Sequence, residues 1–295
     1  MTDPGRGYFY SLSAAFFSGS CVGVGKIMLT DGDAQTLSLW LFVFAVPINF
    51  IWWRAHRQRD KYPPIGLKSF LLISIQAVFS VVAIVGLWSA VKIIDPTVAS
   101  FLNRFEVLVA VLLGIWLFKE RFKPIEAIGA LGVFAGLLII RYRADIELSH
   151  GIALVLGASF LFGISEVIAK RIVRDVEPGL FALLRNTHIL IFLIILTFMR
   201  GNYHYSQLGG YFYLAPLAGL LGPGLGRPLY LHALKYLELS KVATVNQIQP
   251  IPVAILAFFS LGMIPTLKEW IGGLVIISGC IIMIRGRFMH GNRDL

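Results

Sequence analysis

Stretch after stretch of about 20 apolar residues, parted by breaks too short to hold a soluble domain, decides what this chain can become. The windows run over 7–29, 35–53, 67–91, 97–118, 124–141, 150–170, 178–199, 209–234, 241–262 and 266–284. Each is long enough to cross hydrocarbon as a helix, where irregular backbone has no water to satisfy it. The fold expected is an all-α integral membrane protein with about ten transmembrane helices. Composition agrees, with 57% hydrophobic and only 14% charged residues, against about 25% charged in soluble domains.

The breaks carry the charge. The longest, RAHRQRDKYPPIGLK (54–68), reads as a solvated basic connector, and the first window is long for a signal segment, so it is expected to stay as a first helix. With the N-terminus inside, the inner breaks hold Arg6, Arg54, Arg57, Arg59, Lys61, Lys68, Lys119, Arg121, Lys123, Lys170, Arg171, Arg174, Lys235, Lys241, Arg285, Arg287 and Arg293. The outer ones hold Lys26, Lys92, Arg141, Arg143, Arg200 and Lys268. That roughly threefold excess predicts a multi-pass protein of the cell inner (plasma) membrane with both termini cytoplasmic. The formal charge of +10 is then topology and attraction to the lipid bilayer, with no nucleic-acid partner. Cys21 and Cys280 lie in different windows without metal-like spacing, and the sequence calls for no cofactor and no metal.

The chain also repeats itself. A shift of about 144 positions lays SAAFFSGSCVGVGK (13–26) on GASFLFGISEVIAK (157–170), pairing Gly19 with Gly163 and Lys26 with Lys170. Further on, VAVL (109–112) meets VAIL (253–256), EAIGAL (126–131) meets EWIGGL (269–274), and Gly136 meets Gly279. The expected units are therefore 1–145 and 146–295, each with about five helices. An odd number of crossings puts the two halves in opposite orientations, which is the inverted-repeat plan of secondary transporters.

The segment LFKERFKPIEAIGALGVFAGLLIIR (117–141) closes the first half, and LKEWIGGLVIISGCIIMIR (267–285) closes the second. With two five-helix halves, these resemble the drug/metabolite transporter (DMT) superfamily in its EamA-type branch. That resemblance implies a membrane transporter of small molecules. The Glu-Arg mark of the family stands once, as Glu120-Arg121; the second half has Met263-Ile264-Pro265 at that place.

Polar residues inside the windows are the candidate substrate contacts. The repeat sets FLNRFEVL (101–108) against VNQIQPIP (245–252), so Asn103 falls opposite Gln247, Arg104 opposite Ile248 and Glu106 opposite Pro250, and Asn246, Gln247 and Gln249 are the polar residues of the second stretch. Pro250 and Pro252 cannot donate backbone hydrogen bonds, which leaves carbonyls near Asn246 and Ile248 short of a partner. Charges at membrane depth need a partner or a wet cavity. On an ideal helix Arg104 and Glu106 stand about 200° apart and do not pair with each other. Candidate partners for Arg104 and Glu106 are Glu166, Arg185, Asn186, His188, Arg227 and Gln76, and Glu106 with Arg185 or Arg227 is the simplest ion pair. Arg185 lies about two turns from a helix end, within reach of snorkelling. Arg227 and Tyr230 sit in GLLGPGLGRPLYLHALKYLE (219–238), whose prolines and glycines predict an interrupted helix of the kind that marks transporter sites. An Arg–Glu pair that only fixes packing is the competing reading. Trp88 and Trp116 read as interface or lipid-facing anchors, and His232 as a hydrogen-bonded packing residue.

Arginines outnumber acids at depth, which suits a carboxylate or phosphate. The chain is accordingly expected to move a small-molecule substrate, anionic or zwitterionic (an amino acid, organic acid or phosphorylated metabolite), by alternating access. Export with Glu106 as the proton-coupling group belongs to the same expectation. A lipid or lipid-linked flippase, and drug or cation efflux, are the alternatives, and a homodimer is left open. No HExxH, GxSxG or grouped His/Asp is present, so an enzyme is not expected.

Overall fold

A computed structural model describes residues 4–56, 65–118, 124–141, 146–172, 175–201, 205–233, 236–237, 242 and 245–288, and among them there is no strand. The first half comprises α1 (Pro4–Met28), α2 (Ala34–His56), α3 (Leu67–Ile93), α4 (Pro96–Asn103), α5 (Phe105–Phe118) and α6 (Pro124–Arg141). In the second half are α7 (Ile146–Ile172), α8 (Pro178–Arg200), a 3-10 stretch Tyr205–Leu214, α9 (Ala215–Gly219), a π turn Leu220–Gly226 and α10 (Arg227–Ala233). It ends with α11 (Pro250–Leu261) and α12 (Leu267–Phe288). Glu120-Arg121 and most of the basic connector, 57–64, lie outside the described residues.

Among the described residues five helices are long and apolar enough to cross a membrane, namely Gly5–Met28, Ala34–His56, Leu67–Ile93, Ser149–Ala169 and Pro178–Arg200. The fourth, eighth and ninth apolar windows are built from shorter pieces. In the fourth, Pro96 opens α4 at its first position and Asp95 caps it, its Oδ1 accepting from Thr97 N (2.7 Å) and Val98 N (3.2 Å). The helix breaks at Arg104, whose N–H turns to Phe101 O (3.1 Å), a tighter bond than an α-helix makes. Large apolar side chains such as Phe9, Ile51, Leu131, Leu138, Phe198 and Phe259 stay exposed around the outside, the inversion expected where lipid is the surrounding solvent. Trp116 is among them at 76% exposure, but Trp88 is buried at 6%. The anchor reading of Trp88 is thus corrected: Gly25 has no Cβ, and the Trp88 indole fills the space where one would stand.

The two halves interlock. α6 packs on α12, α3 on α7, α2 on α8, and α1 on both α10 and α11. A Cβ on Gly136 would stand 2.5 Å from Gly272 O, and one on Gly279 would stand 2.6 Å from Gly129 O. One number falls as the other rises, so α6 and α12 run antiparallel, with backbone against backbone. The contacts of α1 and α7 answer each other in the same way. Gly19 of α1 lies against Pro252 and Gln249 O at the start of α11, while its repeat counterpart Gly163 of α7 lies against Val109 and Glu106 O of α5.

Candidate functional site

The site grows from three interruptions of helix, each of which frees backbone groups. The first lies before α11. Pro250 has no N–H, so Asn246 O, four residues earlier, loses its α-helical donor and accepts from Gln249 N (3.2 Å) in a tighter turn. Arg104 NH1 donates to that oxygen (3.3 Å), its NH2 donates to Gln249 Oε1 (2.9 Å), and its Nε donates to Ser100 O (3.3 Å). At 2% exposure Arg104 straps the break in the first half to the break in the second. The same NH1 lies 3.8 Å from Glu106 Oε1. This corrects the expectation that the two do not pair: Arg104 is a turn residue between α4 and α5, and the 200° separation of an ideal helix does not apply there. The Cys280 thiol points at Arg104 O (3.5 Å) and completes the strap from α12.

The second interruption is the π turn. Arg227 N donates to Gly222 O, five residues back, which leaves Pro223 O without its helical donor. Pro228 has no N–H, which leaves Gly224 O without one too. Two asparagines take these oxygens. Asn49 Nδ2 donates to Gly224 O (2.7 Å) and Pro223 O (3.2 Å), and Asn186 Nδ2 donates to Pro223 O (3.0 Å) and Asn49 Oδ1 (2.6 Å). Opening this clamp by Asn49→Ala leaves Gly224 O without its side-chain donor while Pro223 O keeps Asn186, at about 1–3 kcal/mol. The measurement is thermal melting in detergent, where the variant is expected to melt several degrees lower; equal melting contradicts the clamp.

Beyond the clamp sits the charge. Arg227 NH1 pairs with Glu166 Oε1 at 2.6 Å, and its guanidinium lies 5.3 Å from the centre of the Tyr230 ring. The expected partner of Arg227, Glu106, is therefore replaced by Glu166, because α7 brings Glu166 up to the start of α10. Arg185 does not pair with Glu106 either: NH1 donates to Asn186 Oδ1 (2.9 Å) and NH2 to Ser80 Oγ (3.1 Å). Nor does it snorkel, since it is buried among these groups. Ser80 and Ser165 share a hydrogen bond (2.8 Å), and both hydroxyls reach Gln76 O, at 2.8 and 3.2 Å. Glu106 lies in the field of Arg104, Glu166 and Arg227 together, which makes these one electrostatic group.

Other sequence candidates fall around this group. Asn103 Oδ1 accepts from Ser159 Oγ (3.1 Å), a contact between α4 and α7. Gln247 is buried, and the Asn246 side chain is half-buried. His232 is buried in α10 with Nδ1 2.9 Å from Pro228 O. Asn49, Ser80 and Ser165 were invisible to sequence reasoning, because single small polar residues in apolar windows carry no pattern. Only the proline-rich π turn opposite Asn49 hinted that some donor had to serve it. Among the described residues no group of three or more His, Cys, Asp or Glu is placed to hold a metal.

Comparison with known proteins fits this architecture. The model of the EamA-like transporter family matches residues 5–142 and again 149–285. An uncharacterized transporter of Synechocystis sp. is 21% identical, over 86% of this chain and 74% of its own. An uncharacterized transporter of Archaeoglobus fulgidus is 24% identical, over 91% and 93%. A solved crystal structure shares the fold with a TM-score of 0.66 at 16% identity, covering 98% of this chain and 99% of that one.

Proposed function

Because the chain belongs to the EamA-like transporter family, we propose that it carries a small anionic or zwitterionic metabolite across the cytoplasmic membrane by alternating access. The observation that carries the substrate's sign is the largely enclosed charge group, in which Arg104 lies beside Glu106, Arg227 pairs with Glu166, and Arg185, held on Ser80, lies in the field of Arg227 and Glu166. A cation meets a net repulsive site there, whereas a carboxylate or phosphate meets guanidinium. The antiparallel crossing of α6 and α12, and the answering contacts of Gly19 and Gly163, support two inverted halves that rock against each other. Both termini are cytoplasmic in this reading, and the cycle runs as export. Glu106 is its proton-coupling group, since it lies 3.8 Å from Arg104 and in the field of both Glu166 and Arg227.

A thermal-shift screen of the purified protein against amino acids, organic acids, phosphorylated metabolites, bases, neutral sugars and organic cations tests the reading. A ligand that binds only the folded state raises the melting temperature by mass action. Stabilisation by an anionic or zwitterionic class, lost in Arg227→Ala, is the expected result. Stabilisation by cations alone contradicts it.

A further inference from the structure

The arginines differ in what they have left to offer. Arg104 spends all three nitrogens on protein: Ser100 O, Asn246 O, Gln249 Oε1 and the nearby Glu106. Arg227 spends only NH1, on Glu166. Its Nε and NH2 are buried and have no hydrogen-bond partner among the described residues. Those two atoms form the side-on edge of a guanidinium, the edge that grips a carboxylate with two parallel hydrogen bonds. Arg185 likewise keeps Nε unpartnered after NH1 and NH2 are used. Gln76, fully buried at 0% exposure, has neither its amide nitrogen nor its amide oxygen paired among the described residues, although its backbone carbonyl receives two serine hydroxyls. Arg185 links the three, its NH2 donating to Ser80 Oγ, which in turn meets Gln76 O, and its guanidinium lying in the field of Arg227. Buried polar groups are nearly always satisfied, so unmet atoms on linked residues point to a ligand that meets them.

We infer that the side-on edge of Arg227, Arg185 Nε and the Gln76 amide form a carboxylate subsite that selects a singly charged carboxylate over a phosphate dianion. The inference rests on the transport reading and narrows it. Three arginines against two glutamates leave the group at one net positive charge. A monocarboxylate neutralises it, and an amino acid adds an ammonium that Glu106 can face. A dianion drives the buried group negative, at a cost that low dielectric magnifies. Arg227 and Glu166 keep 16% and 32% of their side-chain surface accessible while the fork edge is buried. Loading the subsite therefore takes a parting of α3, α7, α8 and α10, which is a step that alternating access supplies.

The test uses purified full-length protein and a panel of monocarboxylates and α-amino acids of graded tail size, set against inorganic phosphate and glycerol phosphate. The variants are Arg227→Lys, which keeps the charge and loses the fork, and Gln76→Met, which replaces an unpaired amide by an apolar chain of similar shape. Gln76→Met is expected to melt at least as high as the parent without ligand, because an unmet buried amide is removed. Both variants are expected to bind the best carboxylate about tenfold or more weakly. Carboxylate binding unchanged in both variants overturns the subsite, as does preferential binding of the phosphate compounds. Failure of every compound, of any class, to bind or to cross a proteoliposome membrane overturns the transport reading itself.

Discussion

Arg104→Ala is expected to be the most damaging single change in the molecule. Arg104 holds Asn246 O, Ser100 O and Gln249 Oε1 and lies beside Glu106, all at helix breaks with little solvent. Truncation takes a donor from Ser100 O, Asn246 O and Gln249 Oε1, leaving Asn246 O with Gln249 N, and leaves a largely buried carboxylate without its nearest cation. Losses of about 3–5 kcal/mol accompany such a break in a buried ion pair. The variant should express poorly and melt on the order of 10 °C lower in detergent. Arg104→Lys should recover only part of this, because an ammonium supplies a point charge and cannot span three separate acceptors. An alanine variant that melts with the parent removes Arg104 from the role of strap.

The strap also shows how far the sequence could be read. Pro250 announced that Asn246 O would lack its α-helical donor, and in the structure that oxygen takes Gln249 N in a tighter turn and Arg104 from the other half. What the sequence concealed was the donor's identity. On an unbroken helix Arg104 and Glu106 face apart, and nothing in FLNRFEVL announces that the helix ends at Asn103. At the break Arg104 is held by Asn246 O and Gln249 Oε1 of the other half, a tertiary contact beyond local pattern. Glu166 stands among the candidate partners, but the sequence does not assign it to Arg227. It lies near the end of its helix, and only packing sets it against Arg227 at 2.6 Å. The glycine matches, by contrast, were legible, since Gly136 and Gly279 align in the repeat and both lie on the α6–α12 crossing.

Gly136→Val carries the second large effect. Its Cβ would sit 2.5 Å from Gly272 O and 2.8 Å from Ile276 N, both backbone atoms that no rotamer change can move. Overpacking of a filled interior costs about 1–3 kcal/mol and more when backbone must shift. A β-branched residue worsens it, being stiff at χ1. The expected outcome is a lowered melting temperature and a large loss of transport, because α6 and α12 join the two halves. Gly157→Ala is the control: a Cβ there meets nothing within 4 Å, and glycine within a helix is the poorer helix former. It is expected to be neutral or mildly stabilising. A Gly136→Val protein that melts and transports like the parent refutes the close crossing.

The central claim is that a guanidinium-lined group inside this membrane protein moves a small carboxylate-bearing solute. Solute counterflow tests it most directly: proteoliposomes loaded with an unlabelled carboxylate chosen from the thermal-shift screen are diluted into the same compound in labelled form. The account predicts transient accumulation of label that Arg227→Ala abolishes and that an organic cation does not compete. Accumulation of a labelled cation instead, or carboxylate counterflow that persists undiminished in Arg227→Ala, contradicts it.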